Sequence, residues 1–163
     1  MRTAELIVGA GTVPASTVTD ARAGVLDAAR RLWTAGLALE WRVLGVVPVH
    51  EDLGVAEVAR AVHRVGVFEA GAELRFVDGA GLDLSSSTRL ARELQEHVEH
   101  GGRAVALIDP PALSPSAVPL ALRLDAVVLG IQLGRTTRAD VERTVAQLRG
   151  GRVIGAALIG AGG

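Results

Sequence analysis

The sequence predicts a three-layer α/β fold, with a mostly parallel sheet flanked by helices, in a single domain over residues 1–163. Three observations predict it. Short β-rich runs alternate with helical patterns from residue 42 onward, the signature of βαβ units and a parallel sheet. The run Arg-Ala-Val-Ala-Leu-Ile at 103–108 is apolar almost throughout and needs cover on both faces. Finally, hydrophobic residues make up 49% of the chain but aromatic ones only 2%, so the core is built from Ala, Val, Leu and Ile, which suits close packing of helix on sheet.

Taken in order, residues 42–49 (RVLGVVPV) read as a buried strand. Residues 54–65 follow as a helix with Val55, Val58, Ala59, Val62 and Val65 on one face and Glu57, Arg60 and Arg64 on the other. Residues 73–77 are the next strand, closed by the turn cluster Asp78-Gly79-Ala80-Gly81. The serines at 85–87 lead into a helix near 88–99 with Leu90, Ala91, Leu94 and Val98 as its stripe, and Gly101-Gly102 stops it. The strand 103–108 ends at Asp109-Pro110-Pro111. A helix at about 116–123 precedes a strand at 126–131, a capped amphipathic helix at 137–148 and a last strand at 153–159. Ahead of this α/β core, 42–159, residues 1–41 read as an N-terminal extension. It carries a helix at 19–39 through Val25, Leu26, Ala29, Leu32 and Trp33, packed across the sheet or against a partner.

Composition removes several classes of function. A net charge of −1 offers no basic footprint for nucleic acid. The absence of Cys rules out disulfides, thiolate nucleophiles and zinc–thiolate sites, and fits a reducing cytoplasm. No apolar stretch approaches the roughly 18–20 residues that span a bilayer. The run at 6–13 is bordered by Glu5 and followed by no clear cleavage site, so it does not read as a signal peptide. All 17 basic residues are Arg. Without Lys there is no Schiff base, no pyridoxal anchor and no phosphate-binding lysine.

Three smaller motifs have plain readings. Gly9-Ala10-Gly11 after Leu6-Ile7-Val8 has the start of a dinucleotide fingerprint, but Pro14 stands where its third glycine belongs. His97 and His100, with Glu96 and Glu99, have the spacing of a solvated helix face rather than of a metal site. The serines at 85–87 lack a G-x-S-x-G elbow and read as helix-capping residues.

In open parallel sheets ligands bind at the carboxyl ends of the strands. Those positions hold His50-Glu51-Asp52-Leu53-Gly54-Val55-Ala56, then Asp78-Gly79-Ala80, then Asp109-Pro110-Pro111. With the hydrophobic strand ending in Asp-x-Pro-Pro-like ALIDPP, the strand DAVVLGI, the Thr-rich turn before a helix and the closing RVIGAAL, residues 42–159 resemble the bacterial tyrosine kinases of polysaccharide export and the MinD/ParA-type ATPases. The resemblance implies a P-loop-NTPase-like fold. It places Asp109 at the Walker B aspartate, Asp78 at the first aspartate of the second acidic motif, and Gly54, Val55 and Ala56 on the last glycine, the lysine and the metal-ligand hydroxyl of the phosphate loop.

The departures from that pattern set the functional expectation. Val55 carries no charge, Ala56 has no hydroxyl, and Glu51 and Asp52 add repulsion where a triphosphate would sit. Ala80 stands where a further Asp is usual, and the chain has no Tyr to phosphorylate. Gly54, Val55, Ala56, Asp78 and Asp109 are therefore expected to be a vestigial nucleotide site, with no catalytic residue, cofactor or metal. The expected activity is neither ATPase nor tyrosine kinase. The expected role is a cytoplasmic, pseudokinase-like regulator that binds proteins or itself as an oligomer. The resemblance points to a membrane-anchored polysaccharide co-polymerase or a true ATPase homologue as partner. Asp78 and Asp109 also have a plainer reading as turn-holding residues. The alternative function is a small-molecule binder or enzyme that uses the crevice around them.

Overall fold

In chain order the elements are β1 (Ala4–Ile7), α1 (Ala21–Leu37), β2 (Val43–Pro48), α2 (Leu53–Ala70), β3 (Leu74–Gly79), α3 (Leu84–Glu99), β4 (Arg103–Ile108), a 3-10 turn at Pro115–Ala117 running into α4 (Val118–Ala121), β5 (Ala126–Gln132), α5 (Arg138–Gln147) and β6 (Arg152–Ile159). They come from a computed structural model that describes residues 4–7, 21–51, 53–71, 73–148 and 151–160. Gly9 to Pro14, Asp52 and the last three glycine-rich residues lie outside the described residues.

The strands form one sheet in the order β1-β6-β5-β2-β4-β3. The five from β2 to β6 are parallel, and β1 adds antiparallel to β6, with Ala4 opposite Ile159. Right-handed crossovers then fix the layers. The step from β2 through α2 to β3 runs one way across the sheet, and every later step runs back, so α2 lies on one face and α3, α4 and α5 on the other. Burial agrees with this. Val55, Val58, Ala59 and Val62 of α2 and Ala28, Ala29, Leu32 and Trp33 of α1 cluster with Leu44, Val46, Val105, Leu107 and Val128. Ala91 and Leu94 of α3, Leu120 of α4 and Leu148 cluster with Val43, Val47, Ala106, Ile108 and Leu129. The alternating strand residues thus feed two cores, which is why β2 is buried at every position.

The predicted helix at 19–39 is α1, which shares the α2 side of the sheet. Gly66 makes that contact close, because a methyl group there would run into the Trp33 ring 2.6 Å away. Trp33 meets Trp41 edge-to-face at 5.5 Å, and the Arg103 guanidinium lies 5.2 Å from the Trp41 ring centroid. At the amino-terminal ends of the strands, Asp125 Oδ2 accepts from the amides of Arg42 and Val43, both at 2.8 Å, and so pins β5 to β2.

Several boundaries differ from the sequence reading, for local reasons. Helix α2 runs on to Ala70 rather than 65, and β3 extends through Gly79, which puts Asp78 inside the strand rather than in the turn. Helix α3 starts at Leu84. Its cap is Asp83, whose Oδ1 accepts from the Ser86 amide at 2.7 Å, so the serines at 85–87 occupy the first turn and do not cap it. Of these, Ser87 is buried and its hydroxyl has no hydrogen-bond partner. Helix α5 has the expected capping box, made by Thr137 and Asp140. Among the described residues, no helix is long and apolar enough to cross a membrane.

Candidate functional site

Because β2 sits between β4 and β5, the connections leaving β2 and β4 depart to opposite faces of the sheet. The carboxyl ends of β2, β4 and β5 are therefore the topological switch point, the place where α/β sheets bind ligands. Each predicted site residue can be placed relative to it.

Gly54, Val55 and Ala56 form the first turn of α2, directly after the short β2–α2 loop. Gly54 is buried. Val55 is 1% exposed and its isopropyl group packs against Gly130 near the end of β5, so closely that a Cβ on Gly130 would collide with it. Ala56 is half-buried against the same core. Val55 and Ala56 thus pack into the core beneath the amino end of α2.

Asp78 is exposed at the penultimate position of β3. Its Oδ1 accepts from the Ala80 amide at 3.2 Å, and its Oδ2 lies 3.9 Å from Arg60 Nη2 on α2. Asp109 follows β4, and its Oδ2 accepts from the Gly81 amide at 2.8 Å. Since β3 and β4 pair with Gly79 opposite Ile108, the two aspartates flank one edge of the sheet and both hold the turn after β3. The sheet brings them near each other, while Val55 is turned into the core.

A third cluster escaped the sequence reading. His50, the second residue after β2, places Nε2 3.4 Å from Asp140 Oδ2 in the first turn of α5, and both side chains are about one-fifth exposed at 20% and 21%. The Thr137 hydroxyl donates to the same carboxylate oxygen at 2.6 Å and the Thr137 amide at 3.0 Å, while Arg143 Nη1 reaches Oδ1 at 3.4 Å. The Thr137 hydroxyl and then its amide hold the Asp140 carboxyl below the ordinary carboxylate range, with the charges of His50 and Arg143 adding to this. His50 Nε2 itself is buried and makes no hydrogen bond. The capping box was legible in the sequence, but its contact with a histidine ninety residues earlier was not, because only the pairing of β2 with β5 brings the two together.

His97 and His100 are occupied elsewhere. Nε2 of His97 donates to the Arg103 carbonyl at 3.0 Å, and Nδ1 of His100 to the Glu96 carbonyl at 2.7 Å. Among the described residues, no group of three or more His, Asp or Glu is placed to hold a metal ion.

The positions that the sequence resemblance assigns to a phosphate-loop lysine and hydroxyl hold a buried valine and a half-buried alanine, and Asp109 accepts a hydrogen bond from the Gly81 amide.

No protein-family model and no curated protein matches the sequence. Solved structures do match the fold. The kinase domain of the Escherichia coli tyrosine kinase ETK superposes with a TM-score of 0.69 at 15% identity, over 85% of this chain and 76% of that one. The chimerical protein CapA2B2 gives 0.63 at 11% identity over 86% and 84%, and the BceF tyrosine kinase domain 0.60 at 13% over 83% and 76%. The chain therefore has the three-layer fold of bacterial tyrosine kinase domains.

Proposed function

We propose that this chain is a non-catalytic relative of the tyrosine kinases of polysaccharide export, acting through protein–protein contacts and not through phosphoryl transfer. One observation carries the reading. The fold is that of the kinase domains, while Val55, which the sequence resemblance sets at the phosphate-binding lysine, is 1% exposed and packed on Gly130. Glu51, exposed in the loop just before α2, adds a carboxylate that disfavours an anionic ligand there. On this reading the chain is a cytoplasmic regulator. Its partner is a membrane-anchored polysaccharide co-polymerase or an active ATPase homologue, and it assembles with copies of itself.

The rival reading, a small-molecule binder or enzyme anchored on Asp78 and Asp109, is less well supported, since each of those carboxylates already has an intramolecular partner. Calorimetric titration with ATP and ADP in the presence of Mg²⁺ tests the proposal, with light scattering over a range of protein concentrations. No nucleotide heat together with a concentration-dependent oligomer is expected. Micromolar nucleotide affinity would overturn the reading.

A further inference from the structure

Among the described residues the sheet has two edges, and they are unlike. At one, β1 is four residues long, and an edge strand that short gives a second chain little to pair with. At the other, β3 runs for six residues, and its ladder with β4 is regular from Leu74 to Gly79, with neither a bulge nor a proline to blunt it. The register shows which backbone groups of β3 are free. The Ala104 amide in β4 donates to the Arg42 carbonyl at the entry to β2, so Ala104 and every second residue from it point towards β2. Arg103, Val105 and Leu107 therefore point towards β3, where parallel pairing bonds them to Arg75, Val77 and Gly79. The amides and carbonyls of Leu74, Phe76 and Asp78 face outward. The Leu74 carbonyl already accepts from His63 Nε2 at 3.0 Å. Phe76 and Asp78 keep both of their backbone groups unpaired among the described residues.

We propose that β3 pairs antiparallel with β3 of a second copy about a two-fold axis through Val77, a contact that rests on the self-association proposed above and gives it a surface. Such an axis sets Phe76 opposite Asp78 of the second copy, and Asp78 opposite its Phe76. Each pair exchanges two N–H···O bonds, so all the free groups of Phe76 and Asp78 are used, and the capped Leu74 carbonyl lies beyond the paired segment. The side chains agree with this register. On the α3 face Val77 meets Val77, and Arg75 lies opposite Gly79, which has no side chain to obstruct it. On the α2 face Asp78 comes opposite Phe76 with its charge matched inside its own copy by Arg60, 3.9 Å away. Arg75 is matched in the same way by Glu93 at 3.4 Å. These four side chains are between 40% and 52% exposed, so neither helix layer closes over the edge. An edge whose charges are already paired does not repel a copy of itself, and it offers a strongly charged strand of another protein no free opposite charge. The two sheets become one.

Light scattering of the full chain over a range of concentrations, joined to amide hydrogen exchange followed by NMR, tests the pairing. The amides of Arg75 and Val77, bonded to β4, should be protected at every concentration. Those of Phe76 and Asp78 should exchange freely in the dilute monomer and gain protection as the mass doubles. Phe76→Pro removes one outward amide and leaves the ladder to β4 intact, which edge strands tolerate, so dimerisation should be lost. Phe76→Leu keeps that amide and should still dimerise. If the proline variant does not fold, exchange in the parent chain decides alone. A chain that stays monomeric throughout would overturn both the pairing and the self-association beneath it. An oligomer in which Phe76 and Asp78 exchange freely, or which a folded Phe76→Pro leaves intact, would overturn the pairing alone. So would protection of both amides in the monomer, since another segment of the chain would then cover the edge.

Discussion

Val55 and Gly130 are in van der Waals contact across the end of the sheet, the isopropyl group of the first resting where a side chain on the second would have to be. Val55 lies in the first turn of α2 and Gly130 in β5, so this contact sets how deeply the amino end of α2 sinks onto the sheet. It also decides the direction of the side chain at the position to which the sequence resemblance assigns a phosphate-binding lysine. That direction is inward.

Gly130→Ala should therefore destabilise the fold by about 1–3 kcal/mol, the usual cost of overpacking a filled core. Val55→Ala should also destabilise, by leaving a void. The double substitution should cost clearly less than the two single ones together, because the new methyl group occupies the space the valine leaves. Urea unfolding of the four proteins measures this, and strict additivity would show that the two residues do not share the space.

Val55→Lys should not create a nucleotide site. The new ammonium would replace a side chain that is 1% exposed, and burying an unpaired charge costs several kcal/mol even after the group neutralises or the helix end shifts. The expected outcome is a less stable protein with no heat of ATP binding. Recovery of tight binding from this one substitution would show that the remaining loop is intact.

The contrast between the fold and this site shows what a sequence makes legible. The parallel strands were readable because burial on both faces demands continuous apolar runs, as in β4, and α5 because Thr137 and Asp140 announce its start. Strand β1 was not, since four residues have too little periodicity and its partner β6 lies at the other end of the chain. The Asp83 cap was hidden by the serines beside it, which compete for the same role. Positions 54–56, 78 and 109 could be placed at strand ends from spacing alone. The inward direction of Val55 was carried by its helical spacing with Val58, Ala59 and Val62, whereas the meeting of His50 with Asp140 depends on strand order, and no local pattern carries that.

Asp125 offers a test of how the sheet is registered. Its carboxylate oxygen receives the amides of Arg42 and Val43 at the start of β2, and the Arg152 amide is bonded to its carbonyl, so one residue ties together the starts of three strands. Asp125→Ala leaves two amides without their acceptor and should cost about 1–3 kcal/mol. Asp125→Asn, which keeps one carbonyl oxygen, should recover part of the loss. Chemical denaturation resolves the difference, and an alanine variant as stable as the parent would mean that water replaces the carboxylate without cost.

Acid should act on the two helix starts that depend on an ionised aspartate. The Asp83 carboxyl is held below its ordinary value first by the Ser86 amide and then by the Ser86 hydroxyl, and Asp140 first by the Thr137 hydroxyl and then by its amide. A carboxylate with a depressed folded-state pKa binds its proton more readily in the unfolded chain. Its contribution is therefore complete above the unfolded value of about 3.9 and is lost as the pH falls through the folded value. Melting temperatures should fall steeply below about pH 4 in the parent chain. Replacing both aspartates by Asn should lower stability at neutral pH and flatten that acid limb, since the acid then has fewer caps left to remove. Thermal unfolding monitored by circular dichroism over this range decides it: an acid limb equally steep in the double variant would place the acid-sensitive carboxylates somewhere other than the first turns of α3 and α5.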